Sequence, residues 1–243
     1  MADTRPEIRP DLLASHEALL EALRRPGCWL SGAERLAVAA ASRRAERCAL
    51  CQGRRDALSP EHAEGLHERG PDEAGLSDAL IEVAHRVRTG SGRLSRAWYE
   101  RQLEGGLSNG AYVEAVGVVA LLAGLDAFCR ALGDELHALP EPLPGEPSHH
   151  TPSGLRDDVA WVPLLTPETA RGPEAGLFPR GFVPNIMRAL SSVPDHVRSL
   201  MSFMRSHYLS GEQMADPKAA RQIDRLQMEL VAARVSALNE CFY

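Results

Sequence analysis

A chain of 243 residues is long enough to bury a sizeable core in one large or two small domains, which excludes a mini-protein stapled by disulfides. Hydrophobic residues at 44% and charged residues at 25% exclude wholesale disorder, and a formal net charge of −6 offers no positive field for phosphates, so no nucleic-acid partner is expected. Five cysteines (Cys28, Cys48, Cys51, Cys129 and Cys241) make an odd set without a leader pattern or a membrane-spanning apolar run, which predicts a cytoplasmic protein with free thiols.

From Pro10 to about Leu58 the chain is rich in Ala, Leu, Arg and Glu, with Leu12, Leu13, Leu19, Leu20 and Leu23 at helical spacing. Pro26-Gly27 breaks this run. Ser31, with Glu34 three residues on, has the spacing of a capping box and starts a helix expected to run on through Cys48 and Cys51 until Ser59-Pro60 restarts the chain. Residues 76–90 read as an amphipathic helix with Leu80, Val83, Ala84 and Val87 on one side, ended by Gly90-Ser91-Gly92. A shorter helix over 93–106 follows, then a long and nearly all-apolar one over 106–133 that must be covered by other helices or by a partner subunit. Alternation of polar and apolar residues is missing throughout, so the fold class is all-α. Residues 139–184 hold most of the prolines. They predict a linker or strap that lies on a surface through Trp161, Val162, Leu164, Leu165, Leu177, Phe178 and Phe182. Helical texture returns at Asn185, turns near Asp216-Pro217 and runs to the last residue.

Cysteine segments carry the chemistry. Residues 34–51 and 227–243 share a plan of a Glu, an Ala/Val-rich helix, a polar break and a cysteine, which predicts internal duplication. Cys48 and Cys51 are spaced to bring two sulfurs within disulfide reach, so that one attacks a peroxide or disulfide and the other resolves the product. Arg55 places a fixed positive charge near these thiols, and His67 or His85, from other elements, are the candidates for the proton relay. In the second segment Asn239 is a suitable N-cap for a helix opening at Glu240, which puts Cys241 in a first turn that favours thiolate. Glu229, twelve positions before Cys241, is either its acid-base partner or a solvent-facing residue. Two bland readings compete for the pair: small inert residues in a packed helix, or a zinc site. For zinc, ligands at suitable spacing are missing unless His62 and His67 complete the set, so no metal and no cofactor is expected. Cys28 and Cys129 read as filler, and His149-His150 as exposed decoration.

On the run from Glu229 through Asn239-Glu-Cys241-Phe-Tyr243, the sequence resembles the carboxymuconolactone decarboxylase/alkylhydroperoxidase D-like superfamily, in particular its peroxidase-related branch. The redox motif of that family is a Glu, eleven residues, Cys-x-x-Cys, three residues and a His. Here the second segment stops before the second thiol. Either a UGA codon that specifies selenocysteine follows, or the domain is cut short. Residues from about 12 to 137 resemble a whole unit, with Cys48-Ala-Leu-Cys51 as its dithiol and 106–133 similar to the long helix that closes the family's subunit against a neighbour. Two departures stand out: the family's His is Arg55, and Leu36 occupies the place of its Glu, with Glu34 two positions too early. The resemblance implies a complete unit over 10–138, the strap over 139–184 and a truncated second unit over 185–243. It implies a thiol-dependent peroxidase or disulfide reductase recycled by a thiol reductant, with Cys51 attacking and Cys48 resolving, in a homo-oligomer for which a dimer is expected. A lactone decarboxylase or isomerase working by acid-base residues is the alternative enzyme. A scaffold with a vestigial first motif is the alternative outside catalysis, argued from Arg55 and Leu36.

Overall fold

Helix α1 (Pro10–Leu23) opens on a proline at its first position, where a missing N–H leaves no bond unmade. Helix α2 (Gly32–Ala45) is fixed by the expected capping box: the Glu34 backbone N–H donates to Ser31 Oγ at 3.2 Å, and the Ser31 N–H donates to Glu34 Oε2 at 2.8 Å. The helix does not run on through the cysteines. Arg47 and Cys48 donate back to the carbonyls of Arg44 and Ala45 at 3.0 and 3.3 Å, a tightening of the last turn that redirects the chain. Cys48 is extended and becomes the N-cap of a separate helix α3 (Ala49–Asp56). After an irregular stretch come α4 (Asp78–Gly90), α5 (Arg96–Glu104) and α6 (Asn109–Leu132), capped by the hydroxyls of Ser77, Ser95 and Ser108. Gly133, at φ 72°, ends α6 in the left-handed conformation that glycine adopts without strain.

The structure, a computed structural model, describes residues 7–178, 183–239 and 241. Among them the chain is all-α, and a single bridge between Arg156 and Leu164 stands in place of any strand. Helices α2, α4 and α6 pack together. Val38, Ala39 and Ala41 meet Ile81, Val83 and Ala84, and Val118, Val119, Leu122 and Leu125 close the core from α6. The expectation that no segment is apolar enough to cross a bilayer is corrected here. By length and composition α6 is, but half of its apolar window is buried inside the chain, where it serves as the central core helix. Its neighbours cover half of that window.

The proline-rich strap lies on the core as expected, with Val162, Leu164, Leu165, Leu177 and Phe178 buried. Phe182 lies outside the described residues. The remaining helices are α7 (Asn185–Arg188), α8 (Pro194–His207), α9 (Gly211–Ala215) and α10 (Arg225–Leu238). Met187, Leu190, Val193 and Val197 join the core already built by α2, α4 and α6, so residues 185–239 form no hydrophobic core of their own among those described. Helix α10 buries only Met228 and leaves Leu226, Leu230, Val231, Val235 and Leu238 exposed.

Candidate functional site

The redirection between α2 and α3 sets the site. It places Cys48 at the N-cap and Cys51 in the first turn of α3, where backbone N–H groups and the helix dipole favour negative charge. Residues 65–68 lie over this helix start, and the Glu68 carboxylate accepts from the Ala49 N–H at 3.3 Å. His67 follows from that placement: its Nδ1 is 3.6 Å from both sulfurs. Helix α4 runs alongside and contributes His85, whose Nδ1 is 3.3 Å from Cys51 Sγ, and Glu82 on the same face three residues earlier. The two imidazole rings are 4.2 Å apart.

Glu82 is the organising acid. Its carboxylate accepts from His67 Nε2 at 2.7 Å, from Arg54 at 2.9 and 3.1 Å, and from Trp98 Nε1 at 2.9 Å. Burial pushes Glu82 upward, but His67, Trp98 and Arg54 outweigh it and hold the carboxyl down at about 2. Burial likewise opposes charge on His67, yet hydrogen bonds with Cys51, Glu82 and Cys48 raise it to about 10. At Cys48 burial is again outweighed, here by the backbone N–H groups of Glu68 and Cys51 and by the side chains of His67 and Cys51, so its thiol falls below the ordinary value. His85 moves the other way, to about 3, because it is desolvated and sits beside the positive His67. The site therefore sets a Cys48 thiol shifted toward its anionic form beside a His67 imidazolium and holds a neutral His85. Cys48, Cys51 and His85 are at most 1% exposed.

Four of the residues expected from the sequence meet here: Cys48, Cys51, His67 and His85. The others are elsewhere. Arg55 points to solvent and lines an open cleft with Glu46, Arg88, Leu238, Asn239 and Cys241; the arginine in the dithiol site is its neighbour Arg54. Glu34 is occupied by the capping box of α2. Glu229 is half-exposed and accepts from Tyr208 Oη and Arg225 Nε, both at 2.6 Å. Asn239 closes α10 at its C-terminus, and the Cys241 N–H bonds back to the Ser236 carbonyl at 2.9 Å, a helix-ending pattern. The helix expected to open at Glu240 falls outside the described residues.

The metal expectation also changes. His62 is exposed, but one donor atom each from Cys48, Cys51, His67 and His85 lies within 4.8 Å of the others, so four zinc-type ligands do converge. His149 and His150 are exposed as expected, though each has a contact: His149 meets Trp29 edge-on, and His150 Nε2 is 2.6 Å from Glu174 Oε1. Cys28 and Cys129 are buried, in keeping with a packing role. Sequence reasoning missed Glu82, Arg54 and Trp98. The available signal was a glutamate three residues before a histidine in the apolar run 79–85, which puts both on one helix face.

No protein-family model, curated protein or solved structure matches this chain.

Proposed function

We propose that the chain is a thiol-dependent reductase of hydroperoxides, working through Cys48 and Cys51. One observation carries this reading: a single imidazole nitrogen, His67 Nδ1, sits 3.6 Å from both sulfurs while a carboxylate holds the opposite nitrogen at 2.7 Å. Such a relay serves either thiol. The Cys48 thiolate attacks the hydroperoxide, the O–O bond breaks, the alkoxide takes a proton from His67 and leaves as alcohol, and Cys48 becomes a sulfenic acid. The Cys51 sulfur then displaces hydroxide, which leaves as water, and the disulfide forms. Two electrons from a thiol reductant restore the pair. Attack by Cys48 reverses the assignment that the family resemblance implies, because Cys48 is the sulfur that accepts backbone N–H groups. Burial of both sulfurs favours hydrogen peroxide or a small organic hydroperoxide over a protein disulfide.

The all-α architecture and a dithiol at a helix start support kinship with alkylhydroperoxidase D-like proteins. In this reading Glu82 and His67 do from α4 and a loop what the family's own Glu and His do within its motif.

Free thiols counted before and after one equivalent of hydrogen peroxide, in reduced and metal-free protein, test the proposal. Two of the five thiols should be lost, and mass spectrometry should map them to a Cys48–Cys51 link. In Cys51→Ser a sulfenic-acid trap should label Cys48. Peroxide that consumes no thiol of this pair would leave only a scaffold.

A further inference from the structure

We propose that the reduced protein binds one zinc ion through Cys48, Cys51, His67 and His85, and that this metal and the Cys48–Cys51 disulfide are alternative states of the same two sulfurs. The first half stands on geometry. Zinc–sulfur bonds of about 2.3 Å and zinc–nitrogen bonds of about 2.0–2.1 Å in a tetrahedron fix the sulfur–nitrogen separation at about 3.6 Å. The separations here are 3.6 Å from Cys48 Sγ and from Cys51 Sγ to His67 Nδ1, and 3.3 Å from Cys51 Sγ to His85 Nδ1. The four donors are mutually within 4.8 Å, compact enough to close around one ion with small side-chain movements.

Supporting groups agree. The Glu82 carboxylate on His67 Nε2 is the carboxylate–histidine arrangement that orients a metal ligand and leaves Nδ1 free to bind. His85 Nε2 has no hydrogen-bond partner among the described residues; a proton there leaves the Nδ1 lone pair facing the sulfurs. Two sulfurs and two nitrogens, with no oxygen in the set, select zinc over magnesium or calcium. The ligands also come from three places: the start of α3, the irregular stretch before α4, and α4 itself. Between Asp56 and Asp78 only two three-residue 3-10 turns form, and Leu58 and Leu66 are more than 90% exposed. Leu76 anchors the end of this stretch in the core, and a metal would tie its His67 region to the helices as well.

The second half rests on the peroxidase reading above. Of the two thiolate electron pairs that bind zinc, one goes to the oxidant and the other becomes the S–S bond, so neither is left for the metal. When a hydroperoxide ROOH oxidises the zinc-bound dithiolate, it takes two electrons and two protons, the O–O bond breaks to give ROH and water, the disulfide forms, and the metal leaves as Zn2+.

The test uses the full chain, reduced with a phosphine and stripped of metal, then titrated with Co2+ and with Zn2+. One Co2+ per chain should give the visible ligand-field bands and thiolate charge-transfer band of a tetrahedral S2N2 centre, and Zn2+ should bleach them. Cys48→Ser and His85→Ala should each weaken binding by at least about a hundredfold, and Glu82→Gln by about tenfold. Should a variant fail to fold, the unaltered chain suffices: bound zinc should slow alkylation of Cys48 and Cys51 but not of exposed Cys241. A spectrum that never reaches one tetrahedral ion per chain, or equal alkylation with and without zinc, overturns the metal site. Hydrogen peroxide added to the zinc-loaded protein should release one zinc per disulfide. Metal binding without peroxide-driven release leaves a structural zinc site and refutes the exchange of metal for disulfide, thiol loss in the metal-free protein decides the peroxidase reading separately, and disulfide formation without metal binding refutes only the zinc site.

Discussion

Glu82→Gln is the most informative single change, because it preserves shape while removing the charge that three donors share. The carboxylate accepts from His67, Arg54 and Trp98 at 2.7–3.1 Å, with its side chain only 19% exposed. A carboxamide has one acceptor oxygen and turns an NH2 group toward at least one of these donors. Losing charge assistance and orphaning one donor costs about 2–4 kcal/mol of folding stability. The pH dependence follows from the two shifted groups. His67, raised from 6.5 to about 10, contributes stability that is fully present below 6.5 and lost as pH climbs toward 10. Glu82, depressed from 4.5 to about 2, contributes stability that is fully present above 4.5 and lost as pH falls toward 2. The gap between the unaltered chain and the variant should therefore be widest between pH 4.5 and 6.5 and should narrow on both sides. Urea unfolding with reductant and chelator at a series of pH values measures it. A gap below about 0.5 kcal/mol, or one that is flat from pH 5 to 9, would refute the carboxylate–imidazolium pairing.

Arg54→Ala should cost about 1–2 kcal/mol and slow peroxide-driven loss of the Cys48 and Cys51 thiols, while Arg55→Ala changes neither by more than measurement error; equal effects would put the wrong arginine in the site. Asp126, fully buried between Arg43 at 2.7 Å and Arg88 at 2.9 Å, should on change to Asn cost about 3–5 kcal/mol in thermal or urea unfolding, and a neutral result would remove it from the framework that holds α2 to α4 and α6. Glu34→Gln and Glu229→Gln should leave the rate of thiol oxidation unchanged, since one completes a helix cap and the other an exposed pair; a loss of rate in either would restore it to the chemistry.

Periodicity made the helices legible, and Ser31 and Glu34 announced the start of α2 by spacing alone. The strap's contact with the core was legible too, because an apolar run such as Trp161–Leu165 is costly to leave in water. The break before Cys48 was not, for no glycine or proline marks it; the turn is made by backbone hydrogen bonds that any residue can form. Within the site the two cysteines and two histidines were legible by residue type, but their convergence depends on how α4 packs beside α3. Glu82 was easy to pass over because a glutamate in an amphipathic helix ordinarily faces water. Arg54 and Arg55 differ by one position, a rotation of about 100° on a helix, which decides between the site and solvent. Asn239 closes α10, a place its short amide suits as well as a helix start.

Two other buried acids make a comparison, while buried Glu174 is answered by the half-exposed His150. Glu73 is fully buried and is answered by Arg44 at 2.9 Å and the Gly70 N–H at 2.9 Å; Asp126 is answered by two arginines. In both places the ionic partners are guanidinium groups, and the pairing does structural work between elements. Glu82 has its guanidinium as well, in Arg54, which would meet the same need. Yet its shortest hydrogen bond goes to His67, a residue that titrates, and His67 turns its other nitrogen to two sulfurs. If Cys48 and Cys51 were inert filler, a positive imidazole beside them would be a burial cost without return, and an apolar side chain would fill the space better. The arrangement makes physical sense when the sulfurs carry negative charge, whether toward an oxidant or toward a metal ion.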